Sequence, residues 1–510
     1  MSTKPLLDSR YVPIVFSFFI LALSIACSSN NPDATTGTTL QKSQGRLLVA
    51  SDTHDQLQVI DLSQSMIESK IHTFSKSPSL IASPSGSYAL IAQSSGNKVD
   101  LMKMGASVSI VESTSTTPST TDSHAGHAHK SSIDSRKISR LEKTDTTESV
   151  SSSSVEQLDF NLTGDNLMTV ISKGDWLSVQ FNNKVTLISE DDLSSNLKSI
   201  NTSHVYNHTS IFPGIPLDEE HLALGTKVVE IKEVGTTVHE GSNISGNNLS
   251  SSNIISATRA TEGLGLYGTD IGILMVKKHI ESGNTAWEDF IVNYPSVLES
   301  QIFLAEDHHD KTEAHGSEHE DEHDEVSKNK RALLWATHDA LSHAFVHIGY
   351  ENHSAGIYLF EAKDLEPDSA SNPWTLLEDT SSNSVRPIKM TIGKVHNEIS
   401  KTDSYLLLIL MSNGNLRICD ASDEGKFLRV ISNVITPITD FHVGEGNFPG
   451  LATGNNKAFI GDPKTNAITQ IDLNSFTVEL SWSVSSKPNH ILYLGESSKV
   501  SHSISAHSHD

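Results

Sequence analysis

The chain has 510 residues, an apolar fraction of 36% and a formal charge of −25 at pH 7. That charge excludes nucleic acid as a partner, because neutralising phosphates takes clustered Lys and Arg, and it favours cations and basic surfaces. The length exceeds one ordinary domain, yet a large all-β fold can use most of it as a single unit.

Lys4 and Arg10 precede the apolar run VPIVFSFFILALSIA, which stops at Cys27. The run is short for a membrane span and reads as a secretory signal. LSIAC resembles a bacterial lipobox, with Ala26 before the cysteine and Ser24 where leucine is commonest. Residues 1–27 are therefore expected to be a lipoprotein signal, with Cys27 carrying the lipid that anchors the chain to a membrane. An ordinary signal peptide with a chance cysteine is the alternative. Ser28, standing where Asp would signal inner-membrane retention, points by the same resemblance to the outer membrane of a Gram-negative cell. The expected location is the periplasm, on a lipid anchor, with the polar residues 28–44 as a flexible tether. Cys419 is the other cysteine, so an acylated Cys27 leaves no intramolecular disulfide. It lies in the strand-like run NLRICDAS and is expected to be a small buried hydrophobe.

From residue 45 onward, short Val/Ile/Leu-rich runs alternate with breaks of Gly, Asn, Asp, Ser and Pro. GRLLVASD, DQLQVIDL, SLIASPSGSYALIAQ and NKVDLMKM follow one another in this way. The spacing, roughly ten residues per strand, belongs to sandwiches and propellers. An internal repeat decides between them. VASDTHDQLQVIDLSQSMIESKI near the start matches FIGDPKTNAITQIDLNSFTVELS near the end, with Asp52 aligned to Asp462 and Asp61-Leu62 to Asp472-Leu473. Weaker copies occur at FNNKVTLISEDDL, SAGIYLFEAKDL and SNGNLRICDAS. A unit of roughly forty to forty-five residues repeated around a ring is a β-propeller. The expected fold is all-β, a propeller of about seven or eight blades over residues 45–497, with similar first and last units closing the ring.

Two segments interrupt the strands, and both are expected to be disordered. Residues 105–156 are Ser/Thr-rich and contain SHAGHAHK; residues 305–330 contain AEDHHDKTEAHGSEHEDEHDEVSK. A tail at 498–510 ends in SHSISAHSHD. None has the apolar content to fold alone. Of the 25 histidines, eleven fall in the two inserts and the last nine residues, which a plain spacer would not need. Neutral imidazole and carboxylate are ligands of borderline divalent metals, zinc above all. His124, His127 and His129 stand close together beside Asp122. His315, His319 and His323 recur every fourth residue and would share a helical face, with His308 and His309 as further donors. Neither cluster holds Cys or Met, which disfavours copper(I); nickel(II) and cobalt(II) stay open. A solvated spacer and a pH-responsive loop are the competing readings.

Further candidates lie on the strand-rich scaffold: His204 and His208 in NTSHVYNHTSIFPGIPL, Glu262 in ATEGLGLYG, His338, His343 and His347 in THDALSHAFVHIGY, and His442 and Glu445 in DFHVGEGNFPG. Some could converge on one ion at an end of the propeller channel; singly, each reads as an ordinary polar loop group. Catalytic signatures are missing: there is no G-x-S-x-G, P-loop or H-E-x-x-H. The acidic pairs at 191–193 and 218–220 read as turn residues.

The order GRLLVASD, VIDL, ASPSGSYALIAQ, a His-rich loop and LTGDN resembles the periplasmic zinc metallochaperones of the AztD type. NHTSIFPGIPLDEEHLALG and DFHVGEGNFPGLATGNNKAFIGDPKTNAITQIDL extend the resemblance over most of residues 45–497. The resemblance implies a β-propeller that binds zinc and passes it to the solute-binding protein of a zinc ABC importer. It implies zinc ligation by His124, His127 and His129, which match the family's His-rich loop, and by His208, in an H-x-x-x-P-type segment. Glu262 stands where the family commonly has His-Gly-Glu. The lipid anchor and the 305–330 segment are departures from the pattern.

The expected protein is a monomeric, non-enzymatic zinc metallochaperone or zinc-capture lipoprotein. The alternatives are a propeller scaffold or adhesin with solvated His/acid loops, and a propeller enzyme.

Overall fold

A computed structural model describes the chain between Gly45 and Gly495. The segments 104–155, 241–253 and 296–330, with several shorter loop stretches, fall outside the described residues. Among the described residues, thirty-two strands form eight four-stranded antiparallel sheets, one per blade. The innermost strands of blades 2 to 8 are Ser79–Ala82, Leu167–Lys173, Gly214–Pro216, Ile254–Thr261, Arg331–Ala336, Pro387–Asn397 and Leu451–Gly454. Blade 1 is built from both ends of the chain. Arg46–Ala50, Gln56–Asp61 and Met66–Thr73 pair in order, and His490–Leu494 completes the sheet as its innermost strand, with Leu494 opposite Arg46 and His490 opposite Ala50. Each innermost strand touches the next, and His490–Leu494 touches both Leu451–Gly454 and Ser79–Ala82, so the ring closes on eight blades.

The apolar runs are unbroken because each blade is covered on both faces, which gives its strands no solvent side. Successive side chains point to opposite faces. Leu47 and Val49 therefore pack toward Phe459 and Ile468 of blade 8, while Leu48 and Ala50 pack toward Ala89 and Ile91 of blade 2. Every seam is filled by a cluster of this kind, so the core is a ring of eight inter-blade layers. Cys419 lies buried in the layer between blades 6 and 7, where burial pushes its thiol up to about 11, which leaves it unreactive.

The aspartates of the repeat have a local cause. Asp472 Oδ1 accepts the backbone N–H groups of Asn474 and Ser475, and Asp420 Oδ1 does the same for Ser422 and Asp423. Such Asx turns tie the third strand of a blade to its fourth. The next residue, Leu473 or Ala421, turns into the core. In blade 1 the equivalent Asp61 is fully buried against the equally buried Arg46, with Nη2 to Oδ2 at 3.5 Å.

The innermost strands all run one way, so connections sort to two ends. Turns from first to second and from third to fourth strand lie at one end, the turn end. Connections from second to third strand and between blades lie at the other, the crossover end. Insert 105–156 joins the third and fourth strands of blade 2; insert 305–330 joins blade 5 to blade 6. The chain thus leaves the ring for its two His-rich segments from opposite ends.

Candidate metal centre

Among the described residues, one grouping of His and carboxylate side chains brings three ligand atoms within 4.8 Å of one another: His279, Glu288 and Glu366. The first two come from the outer hairpin of blade 5, Gly272–Glu281 and Asn284–Asn293. Its register sets Met275 opposite Phe290 and Lys277 opposite Glu288. Alternation puts Met275, Lys277 and His279 on one face, with Phe290 and Glu288 beside them. Met275 and Phe290 belong to the apolar layer between blades 5 and 6, so that face looks at blade 6. From blade 6, Ala362 and Leu365 bury into the same layer. Glu366, the next residue, is thereby held at its rim, exposed.

Two of the three donors are not consumed elsewhere. Glu288 Oε2 is buried and makes no hydrogen bond, and the His279 ring makes none with a described residue. Other described histidines are engaged: His396 with Asp403 at 2.7 Å, His490 with Asp52 at 2.7 Å, and His343 with the Ala421 carbonyl at 2.9 Å. An orphaned buried carboxylate oxygen calls for a cation or a donor. Glu366 Oε1 accepts from Lys277 Nζ at 2.9 Å, and the same ammonium reaches the Leu365 carbonyl at 3.2 Å.

One imidazole and two carboxylates form a donor set that suits zinc. Zinc bonds of ~2.1 Å put tetrahedral ligands ~3.4 Å apart, so the three donors, all within 4.8 Å of one another, would draw together around an ion. Three protein ligands leave one position open.

On the opposite face of the same hairpin, Lys278 Nζ donates to Asp218 Oδ2 of blade 4 at 3.0 Å. His221 Nδ1 lies 2.6 Å from Asp218 Oδ1, and its Nε2 lies 3.9 Å from Glu230. Both imidazole nitrogens thus face carboxylates. Burial would raise the Asp218 pKa, but hydrogen bonds from His221, Lys278 and the Glu220 N–H outweigh it and hold the carboxyl well below the usual range. A depressed folded-state pKa stabilises the fold above the unfolded value of ~3.9, and that stability is lost as pH falls. Asp218→Asn is expected to cost about 1–3 kcal/mol at pH 7. The gap to the parent should narrow between pH 4 and pH 2 in urea titrations; a gap that stays constant over that range contradicts the assignment.

The central channel is polar at its turn end. Lys173 of blade 3 reaches across to Thr337 of blade 6, donating to Oγ1 at 2.9 Å. Arg259 holds Asp339 through two bonds, 3.0 and 2.7 Å. A cavity of about 430 Å³ lies beside them, lined from blades 2, 3 and 6 by residues including Pro84, Ser172, Lys173 and Asp339. Burial lowers the Lys173 pKa. Lysine, arginine and hydroxyl groups make this a structural cross-tie, not a donor set for a metal.

Among the described residues, none of the scaffold candidates read from sequence belongs to the grouping of three ligands. Glu262 is exposed in the turn between the first two strands of blade 5, outside the grouping. His338 packs its ring on Tyr405, and burial lowers its pKa. His343 is buried in contact with Phe345. His347 sits within a strand of blade 6, where burial pushes it down to about 3. Cys27, His124, His127, His129, His204, His208, His308, His309, His315, His319, His323, His442 and Glu445 lie outside the described residues. Sequence reading missed His279, Glu288 and Glu366. The Ser-Gly connection in KKHIESGNTAWEDF could have placed the first two on one hairpin face; nothing local points to Glu366.

No protein-family model and no curated protein matches the chain. Among solved structures, it is similar to apo AztD from Citrobacter koseri: TM-score 0.54, 14% identity, covering 90% of this chain and 100% of that one. A second crystal structure of Citrobacter koseri AztD gives TM-score 0.52 and 13% identity, covering 89% and 99%. The chain therefore has the AztD-type β-propeller fold.

Proposed function

We propose that the protein is a zinc-binding propeller of the periplasm that captures the ion and hands it to the solute-binding protein of a zinc importer, without covalent chemistry. The observation that carries this reading is the inter-blade grouping of His279, Glu288 and Glu366, with one buried carboxylate oxygen unpaired. The AztD-type fold supports it, as does the sequence resemblance to zinc metallochaperones. A three-ligand site open on one side suits hand-over, because a recipient's ligand can enter the fourth position before the others leave. The His-rich inserts would raise the local zinc concentration, and the lipid at Cys27 would hold the capture step at the outer membrane.

Imidazole ligation competes with protons, so zinc affinity is expected to fall at least tenfold between pH 7.5 and pH 5.5. Calorimetry on the full chain at both values checks this. Equal affinity would remove histidine from the ligand set, and zinc content unchanged by removal of the inserts would leave them as spacers.

A further inference from the structure

We infer that Lys277 is the built-in counter-cation of the inter-blade site, an ammonium that stands in for the metal when the site is empty and must leave when a divalent ion binds. This rests on reading the seam between blades 5 and 6 as a zinc site. Lys277 shares a sheet face with His279 and lies directly opposite Glu288. Its Nζ is bound to Glu366, one of the three donors, and to the carbonyl preceding it in the chain. Its side chain is 14% exposed against 54% for Glu366, so the lysine lies inside the seam and the glutamate at its mouth.

Charge decides the consequence. Two carboxylates and one ammonium sum to −1, and an imidazole that ligates a metal adds no charge. Adding a divalent ion with the lysine still in place gives +1, with two cations competing for Glu366. Adding it with the lysine withdrawn gives zero. The ammonium is therefore exchanged for the metal. A lysine can do this because its point charge sits on a flexible four-carbon stem that can swing to water. When the metal leaves, the ammonium returns, and Glu366 is not left facing Glu288 uncompensated. Such a residue weakens the site in exchange for fast release, the property a hand-over protein needs. A lysine acting only as a strap between the blades would make the same contacts but would not affect zinc affinity.

Lys277→Met keeps the stem and removes the charge. In the full chain with the insert histidines replaced by glutamine, it is expected to bind zinc about tenfold more tightly, which is about 1.4 kcal/mol. Zinc should also transfer more slowly to a chelating dye in stopped flow. Lys277→Arg, which keeps the charge and grips the carboxylate, is expected to bind no more tightly than the parent. Equal or weaker binding by Lys277→Met, with the parent still binding zinc through His279, overturns the counter-cation role alone. If His279→Ala has no effect on zinc binding in the parent, the reading of the seam as a zinc site fails, and this role fails with it.

Discussion

Replacing His279 with alanine is expected to lower zinc affinity at the inter-blade site at least a hundredfold. The measurement needs a full chain in which His124, His127, His129, His308, His309, His315, His319 and His323 are glutamine, so that the inserts do not mask the loss. Disturbing a residue that only orients a ligand costs ~10–100-fold in metal affinity, and a lost ligand costs more. The two remaining donors are carboxylates, hard ligands that hold zinc less selectively without nitrogen. The fold should be indifferent. The ring is half-buried and makes no hydrogen bond with a described residue, so Tm should move by no more than a surface substitution moves it, about 0.5 kcal/mol in stability. Glu288→Gln should follow the same pattern, since it removes the charge and keeps the shape. Unchanged affinity in His279→Ala would place the zinc elsewhere in the chain.

The largest stability effect is expected at the ring closure. Asp61→Ala leaves the Arg46 guanidinium fully buried without its carboxylate. Breaking a buried pair by removing one partner typically costs about 3–5 kcal/mol, because an uncompensated charge remains. Arg46 begins the strand that pairs with His490–Leu494, so the loss falls on the sheet joining the two chain ends. Asp472→Ala, at the repeat-equivalent position in blade 8, should cost far less. Lys457 there is partly exposed and also holds Glu479. Urea unfolding of both variants checks the contrast. Arg46→Met with Asp61→Leu should recover part of the loss, since replacing both removes the buried charge that the single variant strands. Similar costs for Asp61→Ala and Asp472→Ala would mean that burial does not set the price of these pairs.

The fold was legible because it is made of local signals repeated. Unbroken Val/Ile/Leu runs, Asx turns at IDL and ICD, and a matching first and last unit require a ring of two-sided sheets, whatever the loops do. Cys419 was legible for the same reason, since a small residue in an apolar strand goes inside. The blade number lay beyond the sequence. Gly214–Pro216 and Val205–Asn207 are three-residue strands with no pattern to count, and eight follows from which inner strands touch.

The candidate site divides along the same line. Sequence reading found histidine where it is dense, in the inserts, and took scaffold residues such as Glu262 and His338 singly as polar loop groups, some of which could converge. Strand direction brings both to the turn end of neighbouring blades, where Thr261 Oγ1 donates to the Asp339 carbonyl, but Glu262 is exposed, His338 packs against Tyr405, and neither joins the grouping of three ligands. His279 and Glu288 share a face because of a hairpin register that KKHIESGNTAWEDF encodes within a few residues. Glu366 joins them because Leu365 packs between blades. Hairpin register is set by neighbours in the chain, so sequence alone determines it. A seam is set by how one blade's side chains fill the gaps of the next, and only the closed ring decides which residues meet there.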